Sequence, residues 1–495
     1  MKWVKFVVLI AFIAVFCFAP AGYADEISEL KKQMNLMRKQ MEAMQGRIEA
    51  LENEKEELKA SAVDQRLASL EGKVDRKAAE WTDMVKIRGG LQGYYLCQND
   101  NYFMKNSAYF LETTARLGAD IKVNDNISAE IMFTGENEAG DAFDYSGLAT
   151  DNWNFEVELA NITYSDIMDV PLSITAGRQN LQYGDGFLIY DGYSDARAVW
   201  TASIRSFYAV KGVYEWGPWQ IDGFAAMPDR NYQSYETYLT DMTVQTGLRY
   251  LYGGNVHLDD ETYGIWDFGI FYKDDKSMFE SNTLAISQRG EYTFNLWPDS
   301  EVLPKIILAG EIVEEVGRTK VQNMTFALGN PRENRASIGG HGDVTLSFEN
   351  MTFAPYVTGR YIYLPGDDPN TEENEAFDPM FYGSSDWGKW YLGDINSNNL
   401  YNSNMRVIML EAGLYPTETT SVRAQYFYTT LDREITANAR KQWSNEINIM
   451  FDWYPNDWFW CGLLWGHAHP LKAAKEYTGD KQNTTEVVLY AGVDF

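Results

Sequence analysis

Tyr109-Phe110-Leu111-Glu112-Thr113-Thr114-Ala115-Arg116-Leu117-Gly118-Ala119-Asp120-Ile121-Lys122-Val123 repeats with a period of two. Tyr109, Leu111, Ala115, Leu117, Ala119, Ile121 and Val123 form one face, and Glu112, Thr114, Arg116, Asp120 and Lys122 the other. Successive side chains of a strand point to opposite sides, so this is a strand with one apolar and one charged face. Ala336 to Phe348 splits the same way, and Leu284 to Leu296 and Val487 to Phe495 repeat the pattern. A soluble sandwich also alternates, but these runs exceed the usual five or six residues of a soluble strand and match a tilted membrane crossing.

The links between runs sort into two kinds. Short turn-forming links occur at Asn124-Asp125-Asn126, Gly217-Pro218, Glu349-Asn350, Pro416-Thr417-Glu418 and Pro455-Asn456-Asp457. Longer polar or Gly-rich stretches lie between them, at 137–151, 182–198, 228–242, 315–333 and 364–402, while Gly253 to Asp260 reads as an unusually long link on the turn side. Turns at one end and loops at the other are the signature of an outer-membrane barrel, with the turns in the periplasm. Residues 85–495 therefore predict a transmembrane antiparallel β-barrel of about 18 strands, an even number that returns both ends to the periplasm. Aromatics near the turns, among them Trp216, Trp297 and Trp458, suit an interfacial girdle.

Two further segments precede the barrel. Lys2 and Lys5, the apolar run Phe6 to Ala19 and the small residues Gly22 and Ala24 make residues 1–24 a secretory signal peptide, removed on export. From 25 to 80, Ile27, Leu30, Met34, Met37, Met41, Met44, Ile48, Leu51 and Leu58 fall on steps of three and four interrupted only by Lys55, a heptad seam. This predicts an α-helical coiled coil in the periplasm, roughly 80 Å long if continuous at about 1.5 Å per residue. It is expected to hold a homotrimer together or to reach a periplasmic partner.

With 42 Lys and Arg against 71 Asp and Glu, the formal charge of -29 repels nucleic acid. The partners expected instead are outer-membrane lipid, lipopolysaccharide and small hydrophilic solutes, in the outer membrane of a Gram-negative bacterium. The three Cys form no CxxC or CxxCH. Cys97 and Cys461 lie two strand steps apart, roughly 9.6 Å, beyond the roughly 7 Å Cα limit for a disulfide. Of the four His, only His341 falls clearly on a charged face, so no enzyme, cofactor or metal centre is expected. The acidic run Asp367, Asp368, Glu372, Glu373, Glu375 reads as a solvated loop.

Facing read from parity gives the candidate pore lining: Arg116, Arg249, Arg289, Arg335, Arg360 and Arg423, with Glu112, Glu130 and Asp343. Opposed guanidinium and carboxylate rows set up a transverse field that selects solutes by charge. Of these, Arg116, Arg289 and Arg423 are expected at the constriction. The function this implies is a porin passing small hydrophilic solutes by charge-filtered diffusion. The alternative is a tethering barrel, or a sheath around a partner such as a cytochrome, without free conductance. No plug domain precedes the barrel to make it a TonB-dependent transporter.

Gly177-Arg178-Gln179 followed by Tyr183-Gly184-Asp185 resembles a signature of the alginate-export family of outer-membrane channels. Phe377-Asp378-Pro379-Met380-Phe381-Tyr382-Gly383, with Gly393-Asp394 and Asn399, is similar to that family's late loop motif. The resemblance implies an 18-stranded passive channel and adds Arg178 to the pore-lining candidates. Arg178 falls on the apolar parity of its strand, so either a bulge re-aims it inward or the facing there is reversed. The coiled coil departs from the family pattern, and so does the mixed-charge interior, which argues against alginate itself as the solute.

Overall fold

A computed structural model describes residues 84–100, 103, 107–141, 153–190, 206–228, 249–276, 281–297, 300, 302–319, 333–368, 370–381, 393, 395, 403–434 and 440–495. The signal peptide expected at 1–24 and the coiled coil expected at 25–80 lie outside these residues.

Strands β1 (Val85–Asn99), β2 (Ser107–Lys122), β3 (Ile127–Asp141), β4 (Asn154–Tyr164), β5 (Leu172–Gln179) and β6 (Phe207–Trp216) begin a continuous meander. It continues through β7 (Trp219–Pro228), β8 (Arg249–Asp260), β9 (Gly264–Asp275), β10 (Ser281–Phe294), β11 (Lys305–Thr319), β12 (Glu333–Ser347) and β13 (Tyr356–Leu364). After the two-residue β14 (Glu373–Asn374) come β15 (Met405–Thr417), β16 (Thr420–Leu431), β17 (Gln442–Asn456), β18 (Phe459–Pro470) and β19 (Thr484–Asp494). β14 pairs in parallel with the start of β12, Asn334↔Glu373 and Arg335↔Asn374. The other eighteen of the nineteen strands form an antiparallel ring, closed where β1 pairs with β19 from Gly90↔Asp494 to Asn99↔Thr485. Closure leaves no unpaired edge, which the hydrocarbon requires of any spanning sheet.

Alternation decides what each face meets. In β2, Tyr109, Leu111 and Leu117 are exposed on the outside, while Glu112 and Thr114 are buried on the inside. The same split runs round the ring: Ile408 and Leu410 face outward in β15, and Met409 and Glu411 inward. Trp216, Tyr263, Trp297, Phe353 and Trp458 stand exposed where strands meet the short turns.

One link is corrected. Gly253 to Asp260 is the body of β8, in unbroken register with β7 from Phe224↔Gly253 to Trp219↔Leu258. The turn follows at 261–263, where Asp260 Oδ1 accepts the Thr262 and Tyr263 N–H groups at 2.8 and 3.0 Å. Gly253 is there for space, because a Cβ would stand 2.6 Å from the Phe271 ring and 2.8 Å from that of Phe224. The irregular face of β4 also has a cause. Its register slips against β3 between Met132↔Leu159 and Phe133↔Val157, which leaves Glu158 as the extra residue. The bulge buries both Glu158 and Leu159.

The loop end differs from expectation as well. The segments Asn180–Tyr190, after β5, and Pro365–Phe381, after β13, fold into the barrel mouth. They meet in an Ile189↔Phe381 bridge, with Tyr190 N–H donating to Phe381 O at 3.0 Å and Phe381 N–H to Leu188 O at 2.9 Å. Leu181, Phe187, Leu188, Ile189, Phe377, Met380 and Phe381 pack against wall residues including Phe207, Phe224, Leu251 and Phe271. Outside the barrel these side chains would face water. Burying one contributes roughly 1.5–3 kcal/mol, so the hydrophobic effect draws both segments inward.

Candidate functional site: the lumen and its two inward loops

In each inward segment an aspartate from a motif singled out in the sequence, Asp378 in one and Asp185 in the other, meets wall strands. Asp378 is the more enclosed. Its carboxylate accepts from Lys273 Nζ at 2.7 Å, from Thr283 Oγ1 at 2.6 Å and from Arg335 Nη1 at 2.5 Å. Its own N–H donates to Glu315 Oε2 at 2.9 Å, and Asp378 Oδ1 accepts the Met380 N–H at 3.0 Å. Lys273, on β9, is fully buried; burial alone would push the Asp378 carboxyl up, but the Lys273 ammonium and Arg335 guanidinium outweigh that and hold it well below the usual carboxylate range.

Asp185 makes the second latch. Arg289 Nε on β10 donates to Asp185 Oδ1 at 2.7 Å. The same guanidinium also reaches Asp267 Oδ2 at 3.2 Å and Glu291 Oε2 at 3.0 Å, so one cation serves three carboxylates. Asp267 accepts further from Asn255 at 3.1 Å and lies 2.8 Å from His257 Nδ1. His257 is thus a second inward His, and it was missed because Gly253 to Asp260 read as a link. Gly184, with φ of 56°, turns the chain so that Asp185 can reach the wall.

The remaining candidates distribute round the interior. Arg116 donates to Glu158 at 3.2 Å. Arg249 pairs with Asp275 at 3.1 Å, and Arg360 lies 3.9 Å from Asp343. Arg423 Nη2 donates to Asp452 at 3.5 Å, and Asp452 also accepts from Ser421 and Tyr490. Glu130 receives Arg88 and Asn161, and Glu112 is buried on the inner face of β2. Arg289 and Arg335 are brought to the inward loops; Arg116 and Arg423 are on other parts of the wall.

Arg178 stands apart from this group. Its cross-strand neighbour in β6 is the outward-facing Tyr208, whose ring it approaches to 5.4 Å. The guanidinium turns along the strand ends to Glu158 O, Ser206 Oγ, Tyr208 and Glu156. Gly177, with φ of 125°, marks the local distortion, yet Arg178 keeps its outward parity and ties β4, β5 and β6 together.

Sequence reasoning missed Lys273, Thr283, Asp185 and Glu311 as interior partners. The available signal was the apolar run Phe187-Leu188-Ile189-Tyr190 in a supposed external loop, which implies burial and hence an inward fold. Cys97 and Cys461 are both free thiols, as the strand spacing requires.

The family model described as alginate export matches residues 98–446, well over half of the chain. The chain belongs to the alginate-export family. The fold of this family member is similar to solved structures at low identity. The crystal structure of Acinetobacter baumannii OccAB1 shares 7% identity, with a TM-score of 0.54, covering 83% of this chain and 97% of that one. Pseudomonas aeruginosa OccK8 (OprE) shares 10% identity at a TM-score of 0.52 and 83% and 98% coverage. Pseudomonas aeruginosa OccK5 (OpdH) shares 7% at 0.51, with the same coverage of each chain. No curated protein matches the chain. Family and fold place this alginate-export member in the outer membrane, as a channel for small solutes and a transporter rather than an enzyme.

Proposed function

We propose that this family member is a passive channel that passes small hydrophilic solutes, anionic sugars or oligosaccharides among them, by charge-filtered diffusion. One observation carries the reading: inside a closed ring of eighteen strands, paired guanidinium and carboxylate groups line the wall and two inward loops narrow the mouth between them. Rings of this size leave an aqueous interior unless something fills it. Fixed charges of both signs then act on solutes at short range in a narrowed space, where screening is weak. The pore-lining roles of Arg116, Arg249, Arg289, Arg335, Arg360, Arg423, Glu112, Glu130 and Asp343 belong to this proposal. So do a homotrimer held by the periplasmic coiled coil, a periplasmic partner for that rod, and lipopolysaccharide around the outer rim.

The sheath reading is disfavoured, because the space a cytochrome would need is occupied by the channel's own Asn180–Tyr190 and Pro365–Phe381 segments. Planar-bilayer recording of the full chain tests the proposal. The expected result is stepwise conductance, a reversal potential in a salt gradient and block by anionic sugars or oligosaccharides. Silent membranes containing correctly folded protein would leave the tethering barrel as the function.

A further inference from the structure

Three side chains at the Asp185 latch have a geometry that ion pairing leaves incomplete. His341 Nε2, on β12, lies 3.9 Å from Asp185 Oδ2 and 4.0 Å from Glu311 Oε2. All three ligand atoms fall within 4.8 Å of one another, and all three residues are buried. Each carboxylate is oriented by a wall group through its other oxygen. Ser287 Oγ donates to Glu311 Oε1 at 2.6 Å, and Arg289 holds Asp185 Oδ1. Such outer partners fix the direction in which a ligand oxygen points.

Glu311 Oε2 supplies the independent observation. The residue is 2% exposed, and this oxygen has no hydrogen-bond partner among the described residues. It is aimed at Gly184, where a Cβ would stand only 3.0 Å away, so the turn leaves the oxygen room. A buried carboxylate oxygen without a donor costs free energy that a cation would recover. The local charge agrees: Asp185, Asp267, Glu291 and Glu311 all lie within electrostatic reach of the single Arg289 guanidinium.

We propose that Asp185 Oδ2, Glu311 Oε2 and His341 Nε2 form a divalent transition-metal site that pins the inward turn Tyr183–Gly186 to β11 and β12. An ion between three atoms at these separations sits about 2.3–2.5 Å from each, a few tenths of an ångström beyond the roughly 2.0–2.2 Å of Zn–N and Zn–O bonds. A small inward shift of the loop closes that gap. The imidazole selects Zn²⁺ or a similar borderline ion over Ca²⁺ and Mg²⁺, which take oxygen ligands. Water completes the coordination. No sequence motif marks this centre, since its three ligands are scattered over one loop and two strands.

The test is a binding measurement, independent of conductance, so it can fail while the channel reading stands. Full-length protein folded in detergent is stripped with chelator and titrated calorimetrically with Zn²⁺. One saturable site per chain is expected, weakened at least tenfold, about 1.4 kcal/mol, in Glu311→Gln and in His341→Gln. Co²⁺ substituted for Zn²⁺ should give visible absorption bands that His341→Gln removes. A heat-dependent shift in electrophoretic migration confirms that each variant is folded. Asp185→Asn changes only the loop ligand and leaves the strands intact, which covers the case of a wall variant that does not fold. Absence of a Zn²⁺ site in the stripped wild type, or wild-type affinity in folded Asp185→Asn, would overturn the proposal.

Discussion

The two inward loops solve one problem in different ways. Pro365–Phe381 carries an aspartate met by an ammonium, a guanidinium and a hydroxyl, and even with Glu315 beside it two cations serve two carboxylates. Asn180–Tyr190 carries, at its central turn, an aspartate that shares one guanidinium with two other carboxylates. The first latch is complete within the protein. The second is rich in negative charge and depends on additional positive charge. A buried carboxylate is therefore a fastener or a liability according to the cations around it, and the two must be distinguished by counting partners.

Removing Asp368 to Phe381 should break the contrast most severely, by unseating both loops at once through the Ile189↔Phe381 bridge. Single-channel conductance is expected to rise several-fold; an unchanged conductance would mean that the loops do not narrow the path. Next in size is Asp378→Asn. It leaves Lys273 and Arg335 buried with Glu315 as the remaining carboxylate within reach, and breaking such a buried ion-pair cluster typically costs about 3–5 kcal/mol. Added protease should cut the loop faster, and a resistant loop would show that apolar packing alone holds it.

Asp185→Asn, in chelator, should cost less, about 1.5–3 kcal/mol, because Arg289 keeps Asp267 and Glu291. Equal protease sensitivity in the two variants would erase the difference between the latches. Arg289→Ser should shift the reversal potential toward cations more than Arg423→Ser, whose pairing to Asp452 is looser at 3.5 Å. The smallest effect concerns pH. The carboxyl of Asp378 lies below its ordinary value, so its stabilisation is fully present above the unfolded pKa of about 3.9 and is lost only as pH falls through the depressed folded value. The gap in unfolding midpoint between wild type and Asp378→Asn should hold steady from pH 8 to about 5 and narrow only in stronger acid. A gap that closes near neutrality would contradict the cation cage around Asp378.

Strand rhythm, ring size and the placement of most interior charges were legible because side-chain parity is a local property, readable wherever the chain stays regular. It failed where the chain is irregular. Paired glycines in β8 looked like a turn, and Arg178 sits beside a distorted Gly177. What parity cannot carry is which loop meets which wall. Asp185 lies 104 residues from Arg289, and Asp378 lies 105 from Lys273. Both aspartates sit in recognisable motifs, but their partners are set by the curvature of the ring, which brings distant strands under one loop.

The seam between β1 and β19 has a consequence for how the molecule is made. Gln98 donates to Glu486 across it at 2.8 Å, joining positions 388 apart. Until these two strands find each other, the growing sheet has two sticky margins and is vulnerable to wrong pairing. Because loop-closure entropy rises only slowly with the length of chain enclosed, distance itself is a modest obstacle. The greater hazard is the waiting time with bare margins, so damage along this zipper should lower the yield of finished rings far more than it alters those that do close.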